Sequence, residues 1–144
     1  MIRSGTTCYN DMYFAVDDAV ETSTSIGIRA THGPGVFGFP TSWAQGPAEC
    51  LEKNRRFLEK HTKQENDLVG YSVCPHAPYT VPEAYLIETK ALCREFDVPM
   101  HIHVQETKAE LEDSINGTPS SSKHLSEARC SPIEVMFSAC LFES

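Results

Sequence analysis

Met100-His101-Ile102-His103-Val104-Gln105-Glu106, directly after Val98-Pro99, is the stretch on which the reading of this chain turns. In a strand, alternate side chains share a face, so Met100, Ile102 and Val104 point one way and His101 and His103 the other. Two imidazoles on the inward face of a buried strand cost desolvation unless something pairs with them, and a metal ion is the commonest such partner. Glu106, three residues past His103, stands where a proton shuttle beside metal-bound water is needed. The plain alternative is a structural strand with satisfied core histidines.

Outward from that stretch, the composition sets bounds. The chain has 144 residues, 40% hydrophobic and 22% charged, enough for one globular domain. A formal net charge of -8 and the lack of a basic patch disfavour nucleic acid and anionic membrane, so neither is expected as a partner and a small molecule is. The six cysteines, Cys8, Cys50, Cys74, Cys93, Cys130 and Cys140, form no Cys-x-x-Cys pair, so neither a zinc ribbon nor a redox motif is expected. Nothing is apolar enough over a long enough run to span a bilayer, and Met1 to Thr7 has no signal pattern, so a cytoplasmic location is expected.

Along the chain, β-rich runs alternate with amphipathic helical ones. Strands are expected at Thr6 to Asn10, Ile26 to His32, Leu68 to Val73 and Met100 to Val104. Helices are expected at Phe14 to Ser25, Pro47 to His61, from a Thr80/Glu83 capping box to Asp97, and at Lys108 to Ile115, closed by Asn116-Gly117. Gly33 to Trp43 reads as a substrate-covering loop; its glycines match no P-loop and its prolines remove donors. Four strand–helix units argue for parallel βαβ architecture, and a (β/α) barrel fits best, because its chemistry gathers at the carboxyl ends of the strands. Asn10 with Asp11, His32, His76, and His103 with Glu106 all fall at such ends. Asn10 and Asp11 read more readily as a turn or cap, His32 as an incidental loop histidine that would at most touch substrate, and His61 and His124 as surface residues.

Three runs carry a family resemblance: Met-Ile-Arg-Ser-Gly-Thr-Thr-Cys-Tyr-Asn-Asp-Met-Tyr from Met1, Ser-Val-Cys-Pro-His-Ala-Pro-Tyr-Thr from Ser72, and His-Ile-His-Val-Gln-Glu-Thr from His101. Together they resemble the amidohydrolase superfamily, and within it the 5-methylthioadenosine/S-adenosylhomocysteine deaminases and related chlorohydrolases. The resemblance covers roughly Met1 to Asn116. It implies a (β/α)8 barrel with one divalent metal, usually zinc, and hydrolytic removal of an amino group or halide from a purine nucleoside or related heterocycle. By the same resemblance His103 matches a metal-ligand histidine on the fifth barrel strand. Glu106 matches the glutamate that binds the substrate ring and shuttles protons, and His76 matches the substrate-contacting histidine after the fourth strand. His101 lines the same interior and stays outside the ligand set.

The departures carry equal weight. The family's first-strand His-x-His pair, and with it two metal ligands, is not in this sequence, nor is the pattern of the later histidine and aspartate strands after Asn116. Gly117 to Ser144 reads instead as an atypical Ser- and Cys-containing tail whose apolar run, Val135 to Phe142, would improvise a helix. A typical barrel takes ~250 residues, so this chain corresponds to about half of one. Two expectations follow: a segment of a metal-dependent aminohydrolase retaining His76, His103 and Glu106, or a non-catalytic truncated product or interaction protein. In either case the outer edges of the first strand and of the Met100 strand would be unpaired, and a homo-oligomer would cover them.

Overall fold

The computed structural model describes residues 1–63, 66–116 and 135–138. After a single 3-10 turn at Ile2–Ser4, the elements are β1 (Cys8–Tyr13), α1 (Val16–Ile26), β2 (Arg29–Val36), α2 (Pro47–His61), β3 (Val69–Tyr71), β4 (Cys74–Pro75), α3 (Glu83–Phe96), β5 (Met100–His103), α4 (Lys108–Asn116) and β6 (Val135–Ser138). All strand pairings are parallel. β2 lies between β1 and β3, and its end pairs with β4. Backbone N–H groups of His101 and His103 donate to Val73 and His76 carbonyls at 3.0 Å, joining β5 to the β3–β4 segment. β6 pairs with β5 from Met100↔Val135 to His103↔Ser138. Neighbours in the sheet are thus neighbours in the chain, with helices between them, as along the arc of a barrel; a doubly wound sheet would reverse strand order at a switch point. The described strands form an open arc, not a closed barrel.

Local chemistry explains the helices. Pro47 starts α2, where its missing N–H costs nothing, Glu49 occupies the first turn, and Lys60 and His61 the last. Gly27 ends α1 at φ 72°, donating to the Ser23 and Thr24 carbonyls. Asp97 ends α3 at φ 53°. The core between helices and sheet centres on Leu58, Val36, Val73 and Cys50, all fully buried. No helix of the described residues is long and apolar enough to cross a membrane.

Several expectations are corrected. β1 starts later than Thr6 and carries on to Tyr13, so Asn10 and Asp11 are strand residues and not a turn or cap. β2 runs on through Gly33-Pro34-Gly35-Val36, so the covering loop is shorter than 33–43. The glycine at 33 is there for contact, not for turning: a Cβ would meet Cys74 Sγ at 2.3 Å and the Ser72 carbonyl at 2.6 Å. The Thr80/Glu83 capping box does not form, because the Thr80 hydroxyl bonds to Ala77 and His76, and Pro82 caps α3 without a side-chain bond. His61 is buried, with Nε2 2.7 Å from Asp17 Oδ1, and is no surface residue. Residues 135–138 of the tail form a strand, not a helix, and cover the β5 edge expected to be open. The boundary expected between residues 116 and 117, the Gly117 cap and His124 lie outside the described residues.

Candidate active site

β5 delivers His101 and His103 to one face of the sheet, as strand alternation requires, with ring centroids 5.8 Å apart. His101 is buried beside Cys74, its Nδ1 3.9 Å from the sulfur. Burial pushes the Cys74 thiol up to about 12, so it stays protonated. Burial, with His103 nearby, pulls His101 below the usual imidazole range, and the Asp11 charge partly opposes this. His103, at the carboxyl end of the strand, is only half-buried.

His76 follows β4, its backbone N–H bonded to the Val36 carbonyl at 3.0 Å, and its ring meets that of His103 edge-on at 5.4 Å. Phe37 packs against the ring at 5.3 Å. The turn through Ala77, Pro78 and Tyr79 brings Thr80 Oγ1 to 2.9 Å from His76 Nδ1 and 3.1 Å from the Ala77 carbonyl. With the Thr80 proton on that carbonyl, His76 Nδ1 is the donor and Nε2 the lone-pair nitrogen of a neutral ring. Burial first, then His103, lowers the His76 pKa, while Glu106 raises it, so the ring is neutral at pH 7.

Past β5 the chain turns sharply at Gln105, which has the left-handed φ of 56°. Glu106 emerges from that turn. Its N–H donates to Glu110 Oε2 at 2.9 Å, and the Glu110 N–H donates to Thr107 Oγ1 at 3.1 Å, two side-chain caps at the start of α4. The Tyr79 hydroxyl donates to Glu106 Oε2 at 2.6 Å. His76, His103 and Glu106 are therefore brought together, through contacts of His76 with His103 and of Tyr79 with both His76 and Glu106. Tyr79, Thr80 and Glu110 were missed by sequence reasoning. Two of them lie inside the quoted Cys-Pro-His-Ala-Pro-Tyr-Thr run, and the Thr107-x-x-Glu110 spacing was itself a readable capping signal.

His32 is not part of this group. It lies mid-strand in β2 opposite Asp11, fully buried, with Nε2 2.8 Å from Ser23 Oγ and Nδ1 3.6 Å from Asp11 Oδ2. The expectation of a loop histidine is corrected: β2 continues four residues beyond it and α1 covers it. A metal site needs more than is gathered here. Among the described residues no group of three or more His, Cys, Asp or Glu is placed to hold a metal ion, whereas a catalytic zinc takes three protein ligands. These residues alone do not fit the ion, and His103 offers one donor.

A model of the amidohydrolase family matches residues 1–142. The chain belongs to the amidohydrolase family. Among its relatives, a 5-methylthioadenosine/S-adenosylhomocysteine deaminase from Thermodesulfovibrio yellowstonii is 40% identical over 115 residues, covering 80% of this chain and 26% of the relative. Its Aquifex aeolicus counterpart is 44% identical over 111 residues, covering 77% and 25%. This amidohydrolase chain thus spans about a quarter of the length of those curated relatives. In fold it is similar to a zinc-bound adenosine deaminase from Xanthomonas campestris, with a TM-score of 0.82 and 28% identity over 94% of this chain and 31% of that one. A zinc-complexed atrazine chlorohydrolase from Arthrobacter aurescens shares the fold at a TM-score of 0.73 and 14% identity, over 94% of this chain and 34% of that one.

Proposed function

We propose that these residues are the acid–base part of a site for hydrolytic deamination of an adenine-type ring, in a small nucleoside such as 5-methylthioadenosine or S-adenosylhomocysteine. The convergence of His76, His103 and Glu106 at the carboxyl ends of β4 and β5 carries the reading. In it His103 would be one ligand of a single divalent metal, zinc by analogy with the zinc-bound adenosine deaminase, and the described residues do not supply the remaining donors. A metal held there would supply an acidified water. The rest is done by this chain. Glu106 takes one proton of the attacking water to the ring nitrogen and then the second, from the new hydroxyl, to the departing amine, and the His76 Nε2 lone pair accepts a substrate hydrogen bond or orients the water.

The test is a chimera that completes the barrel from the Aquifex aeolicus relative, assayed for bound metal and ammonia release. His103→Ala should lower metal content. Glu106→Gln should keep metal and lose about two orders of magnitude or more in turnover. Near-normal turnover in Glu106→Gln refutes the assignment.

The lack of a three-donor group among the described residues favours a second reading for the 144-residue chain by itself: a non-catalytic product or interaction protein. Native mass spectrometry and an ammonia assay separate the two. A monomer with one tightly held zinc and measurable turnover excludes the second reading.

A further inference from the structure

We propose that Tyr79 is the positioning residue for Glu106, holding one carboxylate oxygen so that the other is presented in a fixed place to the substrate. The proposal rests on the proton-carrying role assigned to Glu106 above. A glutamate has three side-chain torsions, and a proton carrier that samples them all spends little time within reach of the atom it serves. The backbone of Glu106 is anchored, because Gln105 holds the left-handed turn and Glu110 Oε2 accepts the Glu106 N–H at 2.9 Å. Its carboxylate is anchored at one point: the Tyr79 hydroxyl donates to Oε2 at 2.6 Å, the length of a charge-assisted O–H bond. Oε1 has no such bond from the described residues and is left for the substrate.

Tyr79 is suited to the task. Its ring edge rests against His76 at 6.2 Å, and the Thr80 N–H bond to the Ala77 carbonyl at 3.1 Å closes the turn that carries it. One short turn therefore sets both His76 and, through Tyr79, Glu106. The hydrogen bond to Glu106, burial, and the charges of Glu106 and Glu110 together push the phenol up to about 12. Tyr79 thus remains a donor throughout the working range and cannot compete with Glu106 as a base.

The contact is tested on the 144-residue chain labelled with 13Cζ-tyrosine, the Tyr79 signal being assigned by its loss in Tyr79→Phe. Ionisation near 12 that drops toward the ordinary phenol range, about 10, in Glu106→Gln supports the proposal. An unchanged Tyr79 titration in Glu106→Gln overturns it. In the barrel-completed enzyme, Tyr79→Phe should lower kcat ~10-fold with KM within about twofold, while metal content stays the same. If Glu106→Gln abolishes turnover and Tyr79→Phe leaves kcat intact, the positioning role is wrong and the proposed function stands. If Glu106→Gln leaves turnover intact, the proposed function itself fails.

Discussion

His32 and His103 stand on parallel strands of the same arc, yet their surroundings have nothing in common. Around His32 the interior is closed: the Ser23 hydroxyl is 2.8 Å away, the Tyr9 hydroxyl 3.5 Å, and α1 seals the ring from solvent. Around His103 the strand has ended, the ring is half-exposed, and its neighbours are His76, His101 and the loops that hold Tyr79 and Glu106. The residue type is the same; what lies beyond it along the strand decides whether it is sealed within the fold or left accessible. A strand that runs on for another turn of sheet buries its histidine, and one that stops presents it.

The sharpest way to break this contrast is to pry open the closed side. Gly33→Val puts side-chain atoms where Cys74 Sγ and the Ser72 carbonyl already stand, and the backbone contact cannot move aside cheaply. It should cost about 3 kcal/mol or more, or prevent folding. Urea denaturation followed by circular dichroism measures this, and an unchanged midpoint would show that β2 and β4 do not pack as described.

Next in size is the paired substitution of the two histidines. His32→Ala leaves a cavity and removes the ring's hydrogen bond to Ser23 Oγ, a loss of about 2–3 kcal/mol, although Ser23 keeps its bonds to Tyr9 and the Ala19 carbonyl. His103→Ala should change stability by less than about 1 kcal/mol, because its ring is half-exposed and takes part in little of the core. Equal losses in the two variants would erase the distinction between the two regions.

Smaller still is the effect of acid. Burial lowers the pKa of His32, His76 and His101 below the ordinary imidazole value of 6.5 in each case. Below that value the unfolded chain binds protons that the folded chain does not, so stability is complete above pH ~6.5 and falls as pH drops through the lowered folded values. Asp17, whose hydrogen bonds and charge interactions with Lys60 and His61 outweigh burial to lower its pKa from 3.8, adds stability that is present above 3.8 and lost at lower pH. Urea midpoints measured from about pH 8 to about pH 5 should decline in the lower half of that range, and His32→Gln should flatten the decline. A flat profile in the native chain would mean that the closed region admits water. Least of all, Tyr79→Phe should leave the midpoint within about 0.5 kcal/mol, since Tyr79 is exposed and its one hydroxyl bond is to a site residue.

Much of the arc was legible from residue order. The helix at Pro47 to His61 has a proline start, a basic last turn and an apolar stripe, all local signals, and its bounds were read as they stand. The alternation in Met-His-Ile-His put both imidazoles on one face before any neighbour was known, and family motifs marked His76, His103 and Glu106. The extension of β2 could not be read this way. Gly-Pro-Gly is ordinarily a break, and only the approach of Ser72 and Cys74 from another part of the chain makes a side-chain-free strand residue necessary at position 33. Likewise, Thr80 had the right spacing for a helix cap, but its hydroxyl went to the nearer demand of His76 and Ala77. The tail run from Val135 was read as a helix, and its residues 135–138 became a strand because β5 had backbone donors and acceptors to satisfy along its edge. Local order therefore determined which segments are helix or strand and which side chains share a face. Tertiary structure decided which histidine was sealed, which was exposed and what held the glutamate, because burial and hydrogen-bond partners are set by segments distant in sequence.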